Sequence, residues 1–202
     1  MNDAALKLDT QDIVVDEVFP HTPEAIWKTL TTANLMGRWL MAPAGFEPVE
    51  GKHFTYQTTP AGAWDGTIQC QVLEVKPNER FAYAWKGGHE GNVGYGSRLD
   101  TVVTFILSKV ENGTRLRLVH SGFVLPNNDT AFKNMSEGWK KVVRNIGAIG
   151  RGRRIVPSSN HRLLVHLFRR PSVRRSLEWP ELPRQYPPEI RPEILAVEER
   201  LS

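Results

Sequence analysis

Apolar residues along this chain keep two different spacings, and the order in which they alternate outlines an α+β architecture. From Asp12 to Phe19 the apolar positions Ile13, Val15, Val18 and Phe19 approximate the period of two that a half-buried strand requires. Thr22 then offers an N-cap, Pro23 suits the first helical position, and Glu24 favours the positive end of a helix. Ile26, Trp27 and Leu30 form the buried stripe of that helix. A second short helical turn over Ala33 to Leu40 directs Leu35, Met36 and Trp39 inward before Pro43 and Gly45 break it.

Strands follow in quick succession. Lys52 to Thr58 places Phe54 and Tyr56 on one face, Thr67 to Val75 places Ile68, Cys70 and Val72 together, and Phe81 to Trp85 does the same for Phe81, Tyr83 and Trp85. Asp100 to Ser108 and Thr114 to His120 complete a meander whose short turns, such as Lys76-Pro77-Asn78 and Glu111-Asn112-Gly113, point to antiparallel neighbours. The period then returns to that of a helix: Phe132, Met135, Trp139, Val142, Val143, Ile146 and Ile149 recur along one face from Asp129 to Ile149.

Composition divides the chain near Gly150. Residues 1–150 carry 15 Lys plus Arg against 16 Asp plus Glu, while residues 151–202 carry 11 against 6, with no Lys, 7 Pro and a single Gly. The expected organisation is an N-terminal extension over residues 1–11, a folded domain over 12–149 and an Arg/Pro-rich tail over 150–202. The tail is expected to be largely disordered or to hold one short amphipathic helix. The run Arg151 to Arg175 has eight Arg and no acidic residue, which suits contact with an anionic surface, but no base-reading nucleic-acid motif accompanies it. A shifted reading frame after Gly150 would leave the same compositional mark. Cys70 is the only cysteine, so an intrachain disulfide or a CxxC site is impossible and a reducing, cytoplasmic setting is expected. No signal-peptide pattern and no apolar run of membrane-spanning length is visible.

The segments TPEAIWKTLTTANLMGRWL, WDGTIQCQVLEVKPNERFAYAW, TVVTFILSKVENGTRLRLVHSGF and EGWKKVV, in that order, resemble the activator of heat shock protein 90 ATPase homologues, a family of the START-like, helix-grip superfamily. The resemblance covers roughly residues 12–149. It implies a curved antiparallel sheet wrapped around a long C-terminal helix, with two short helices after the first strand and an apolar cavity between sheet and helix. It also implies that the cavity binds a lipid, polyketide or other hydrophobic molecule. Two alternatives come with the family: stimulation of a heat shock protein 90 type ATPase in a stress response, and cyclase or hydrolase chemistry in the same cavity. The separate N-terminal chaperone-binding domain of the eukaryotic namesake is not visible.

The residues themselves favour binding over catalysis. There is no GxSxG, HExxH or P-loop, so no catalytic residue, metal ligand or cofactor is assigned. Gly87 to Ser97 is glycine-rich but precedes a strand, so it reads as a mobile loop at the cavity mouth rather than a phosphate cradle; His89 and Glu90 within it make an incomplete metal site. Alternation puts Leu116, Leu118 and His120 on one face, so His120 points to the concave side, either as a ligand partner or as a locally satisfied structural histidine. The expected ligand-binding set is Trp39, Phe54, Tyr56, Tyr83, Trp85, Phe105, His120 and Trp139, with each aromatic also a candidate for plain core packing. Cys70 falls on an apolar face and reads as inert packing.

Overall fold

The computed structural model describes residues 10–150. The N-terminal extension before Thr10, and the tail expected to hold a basic amphipathic helix, lie outside the described residues. In chain order the elements are β1 (Thr10–Phe19), α1 (Pro23–Thr31), α2 (Ala33–Trp39), β2 (His53–Gln57), β3 (Thr67–Lys76), β4 (Arg80–Gly87), β5 (Leu99–Val110), β6 (Gly113–Val124) and α3 (Asp129–Gly150). The six strands form one antiparallel sheet in the order β1-β6-β5-β4-β3-β2. Tight turns join β3 to β4 and β5 to β6, longer loops join β2 to β3 and β4 to β5, and α1 and α2 carry the chain from one edge of the sheet to the other. α3 packs on β1 and β6 and on both short helices. Among the described residues no helix is long and apolar enough to cross a membrane.

Local chemistry accounts for the boundaries. Thr22 is extended, and its hydroxyl accepts from the Ala25 amide at 3.4 Å, satisfying one of the orphan donors of α1. α1 buries Ile26 and Leu30, and α2 buries Met36 and Trp39, against the interior. Trp27 and Leu35 are only partly buried and pack at the edge of the core. Val18 departs from the apolar face of β1. Ile13, Val15 and Phe19 share the inner face, and strict period two sends Val18 outward, where it is 56% exposed.

β6 runs beyond His120 because it contains a bulge. Gln11 of β1 faces Phe123, but Ile13 faces His120, so Ser121 and Gly122 together oppose Asp12. Gly122 takes the positive φ of 97° that such an irregularity demands. The extra residue shifts the inward parity by one position, from 122 to 123: His120 and Phe123 are both fully buried, with ring centroids 4.7 Å apart. Without the bulge, Phe123 would face solvent.

A close approach fixes the far end of α3. Gly147 lies against the Phe19 ring, so that a Cβ at this position would stand 2.2 Å from Cε1. Its carbonyl accepts from His21 Nε2 at 2.8 Å, giving a partner to a backbone group near the helix end. Replacing Gly147 by Ala should raise helix propensity by about 1 kcal/mol. Overpacking against Phe19 should outweigh that, at about 1–3 kcal/mol. The expected result is a net loss of stability in urea unfolding; an unchanged or higher midpoint would show that Phe19 moves aside freely.

Candidate functional site

The inner face of the sheet is a floor of aromatic side chains. Period two delivers Phe54 and Tyr56 from β2, Phe81, Tyr83 and Trp85 from β4, and Phe105 from β5, while α2 adds Trp39 and α3 adds Trp139. All eight residues expected to line a cavity are at most 4% exposed. The structure brings them together as one network. Trp39 meets Phe105 at 5.8 Å between ring centroids, Phe105 meets Trp139 at 6.3 Å, Trp139 meets Trp85 at 6.2 Å, Trp85 meets Tyr56 at 5.6 Å, and Phe54 joins Tyr56 and Tyr83 at 5.4 Å each. Most contacts are edge-on or tilted, the arrangements that ring quadrupoles favour.

This network largely fills the space in which an open cavity was expected. Among the described residues, a notch of about 20 Å³, room for about one water, borders this network. It is lined by Ile68, Trp85 and Leu99 from the sheet, Ala131 and Met135 from α3, and Trp64 and Tyr95 from two loops. The physical reason is volume: large rings on β2, β4 and β5 and on the helix interdigitate across the gap.

The polar groups inside divide into satisfied and unsatisfied. His120 is satisfied on both sides: Trp139 Nε1 donates to its Nδ1 at 2.9 Å, and its Nε2 lies 2.8 Å from Thr101 Oγ1. Since Nδ1 accepts, Nε2 carries the proton and donates to Thr101, whose hydroxyl donates in turn to the Trp85 carbonyl at 3.0 Å. Neither ring nitrogen is left for a ligand, so His120 acts here as a structural tie between α3, β6, β5 and β4. Burial lowers its pKa to about 3, keeping it neutral. Trp39 Nε1 likewise donates to the Thr29 carbonyl at 2.9 Å.

Tyr56 and Tyr83 are different. Both side chains are fully buried, and neither hydroxyl has a hydrogen-bond partner in good geometry. Each hydroxyl does interact with the other, electrostatically and as a side-chain hydrogen bond that falls short of good geometry, and both lie close to Cys70. Desolvation by burial pushes both phenols, and the Cys70 thiol, well above their ordinary range, so all three stay protonated and uncharged. A buried hydroxyl without a partner costs about 1–3 kcal/mol.

The glycine-rich segment after β4 is held in place. Asn92 Nδ2 donates to the Ala61 carbonyl at 2.7 Å and to the Gly96 carbonyl at 3.0 Å, and the Tyr95 hydroxyl donates to the Thr59 carbonyl at 2.6 Å. Trp64 and Tyr95 face each other at 6.2 Å, so the β2–β3 and β4–β5 connections form a clasp beside the notch. Glu90 pairs with Arg98 and His89 Nδ1 accepts from the Gly91 amide, which engages both of the adjacent residues considered as metal ligands. Among the described residues no group of three His, Cys, Asp or Glu could hold a metal. Sequence reasoning missed Trp64, Asn92, Tyr95 and Met135 as parts of one mouth. Two aromatics within turn segments were the available signal.

A curved antiparallel sheet closed by a long C-terminal helix, with two short helices after its first strand, defines a helix-grip, START-like domain. The chain belongs to the activator of Hsp90 ATPase homolog 1-like protein family, which matches it over residues 20–150. Protein MLL2253 from Mesorhizobium loti is 32% identical, the match covering 68% of this chain and 95% of that one at a TM-score of 0.59. CalU16 from Micromonospora echinospora is 21% identical over 77% of this chain and 84% of its own, with a TM-score of 0.55. The Aha1 dimer from Colwellia psychrerythraea is 19% identical over 68% and 93%, with a TM-score of 0.53. The last two are likenesses of fold alone. No curated protein matches.

The state of His120 has a measurable consequence. An unfolded histidine takes up a proton near pH 6.5, whereas the folded one resists protonation down to about pH 3. Between these values the unfolded chain holds one more proton, so stability falls as pH drops, by about 1.4 kcal/mol per unit. Urea unfolding of the wild type and His120→Gln should show the variant less stable at pH 7, with the gap narrowing by about 2 kcal/mol at pH 5. Parallel pH profiles would show that His120 is not held neutral.

Proposed function

We propose that residues 12–149 form a unit that binds a small hydrophobic or amphipathic molecule between α3 and the aromatic face of the sheet, without covalent chemistry, and that the tail is accessory. The observation that carries this reading is the notch beside the clasp. Ile68 and Trp85 form its inner wall, and Tyr56, which pairs with Ile68 and touches Trp85, stands immediately behind them. The form described is closed, and a guest larger than water requires the mouth to yield. Met135 is unbranched and adaptable, and the clasp is a handful of hydrogen bonds between loops, so both can give way at modest cost. Trp39, Phe54, Tyr56, Tyr83, Trp85, Phe105 and Trp139 are proposed as the surface the guest meets, with His120 behind them as support.

Titration of the full-length protein with Nile red, a neutral dye that brightens in apolar surroundings, tests the reading. Saturable uptake is expected, and Asn92→Ala, which removes the Asn92 part of the clasp, should speed it several-fold while changing affinity little. A dye signal that never saturates, together with native mass spectra free of any bound molecule, would reject the chamber.

The filled interior favours one competing reading: that the domain works through its outer surface as a co-chaperone, as the family's name suggests. In that case an excess of the protein should stimulate the ATPase of a bacterial heat shock protein 90. No stimulation would remove the co-chaperone role and leave the chamber standing.

A further inference from the structure

We propose that the notch and a groove on the outer side of the sheet are the two ends of one site for an amphipathic anion. Its apolar body enters past Trp64, and its head, a carboxylate above all, stays outside on Lys86 and Arg98. The inference rests on the chamber reading given above and names the chemistry and direction of the guest.

The two spaces share a wall. The groove has a volume of about 340 Å³, within the range of small-molecule sites, and Trp64, Gly87, Gly88 and Leu99 line both it and the notch. It opens on the outer face because Gln69, Lys86 and Asp100 alternate with the inward Ile68, Trp85 and Thr101. Two of the shared residues have no side chain and Leu99 is buried on β5, so the Trp64 indole is the bulky group that a loop brings to the wall. The ring lies across Gly87, where a Cβ would stand 3.2 Å from its Cζ2. Its one polar atom, Nε1, donates to the Thr67 carbonyl at 2.8 Å, while its backbone is closed against Ala61 by two hydrogen bonds of 2.9 Å. Rotation of the indole therefore opens the wall at the cost of one hydrogen bond, with the Ala61–Trp64 turn intact.

Polarity changes across that wall. On the inner side Ile68, Trp85, Ala131 and Met135 offer apolar surface, and among the described residues no Asp, Glu, Lys or Arg is buried. A charged head following the body inside would lose its hydration with no counter-ion to replace it, so it stays in the groove. There Asp65, Thr67, Gln69, Lys86, Arg98 and Asp100 meet it. Two cations face two carboxylates, and what each already binds decides the sign. Asp65 accepts from the Thr67 amide at 2.8 Å through one oxygen and from the Thr67 hydroxyl at 3.0 Å through the other, which occupies both. Lys86 meets Asp100 at 3.1 Å and Arg98 meets Glu90 in exposed pairs, which are weak in water and easily exchanged. Each cation also has more N–H donors than one such pair uses, and the Arg98 fork matches a carboxylate.

Dodecanoate and dodecyltrimethylammonium share one chain and differ in the sign of the head, while butanoate keeps the anionic head and loses most of the body. Competition against bound Nile red, with the full-length protein and both surfactants below their micelle-forming concentrations, reads occupation of the chamber itself. Dodecanoate should displace the dye about tenfold more effectively than the ammonium, the gain of two exposed charge contacts. Butanoate should not displace it. In the double variant Lys86→Gln, Arg98→Gln the preference should shrink to within about twofold, whereas Lys86→Arg, Arg98→Lys, which keeps both charges, should retain most of it. Direction is read by tryptophan quenching at saturation: 2-bromododecanoate should lose most of its quenching in Trp64→Phe, and 12-bromododecanoate, whose bromine marks the far end, should keep it. If the dye saturates but neither surfactant displaces it, both displace it equally, the double variant keeps the preference, or the bromine pattern is reversed, the amphipathic site is overturned and the chamber stands. If the dye never saturates, both readings are overturned.

Discussion

The tie from Trp139 through His120 and Thr101 to the Trp85 carbonyl is the interaction around which the interior is arranged. It runs from the middle of α3 across β6 and β5 to β4, so one chain of three hydrogen bonds sets the height of the helix above the sheet. It requires a neutral imidazole in one tautomer, because one nitrogen must accept and the other donate. Burial enforces that state. A half-satisfied network at this depth would cost more than an apolar substitute, so the tie is stabilising only when complete. The indole and imidazole rings that carry it also pack as aromatic surfaces, His120 against Phe123 and Trp139 against Phe105, so polar registration and apolar burial come from the same side chains.

Much of this was readable in order and facing, and little of it in distance. Alternation identified the strands and the inward residues Phe54, Tyr56, Tyr83, Trp85 and His120 because a strand has one degree of freedom per face, and a wrong parity exposes the whole set. Parity left the facing of Val18 and Phe19 open, since two adjacent apolar residues cannot both face in without a bulge, and Val18 is the one outside. A bulge does occur at Ser121 and Gly122, where the sequence offers only a glycine that could equally have ended the strand. Helix α3 was legible from its stripe, but the contact between Gly147 and Phe19 joins residues far apart in the chain, and no local pattern encodes it. For the site, residue types were legible and free volume was not. Eight side chains named as a lining pack against one another, and whether rings line a space or fill it depends on sub-ångström placement across strands.

The interior therefore combines two properties that are seldom found together. It is packed closely enough for a conventional core, yet it holds two tyrosine hydroxyls that meet each other only in poor geometry, and a notch at one end. Close packing and polar groups in poor geometry pull in opposite directions, since each imperfectly paired buried hydroxyl costs stability. The apolar floor seats α3, and beside the His120 tie its buried polar atoms include the Tyr56 and Tyr83 hydroxyls. In this chain those atoms lie on the β2-β3-β4 side, away from the edge where α3 is anchored to β1 and β6.

The sheet order has a consequence for how the molecule is made. Among the described residues β1 is the first strand, yet its sole partner is β6, with Phe19 opposite Thr114 and Thr10 opposite Val124. While the chain is being synthesised, β1 leaves the ribosome with its backbone donors and acceptors unpaired, and it stays so until nearly the whole sheet has followed. Closing a loop of that length costs entropy before any contact rewards it, which marks assembly of this edge as a late and non-local step. The exposed interval is also when a stray strand from another molecule can take the place of β6. The alternation of acidic and apolar residues in β1, with Asp12, Asp16 and Glu17 among its valines, puts charge on that waiting edge, and Asp16 is later captured by the Arg115 guanidinium of the proper partner.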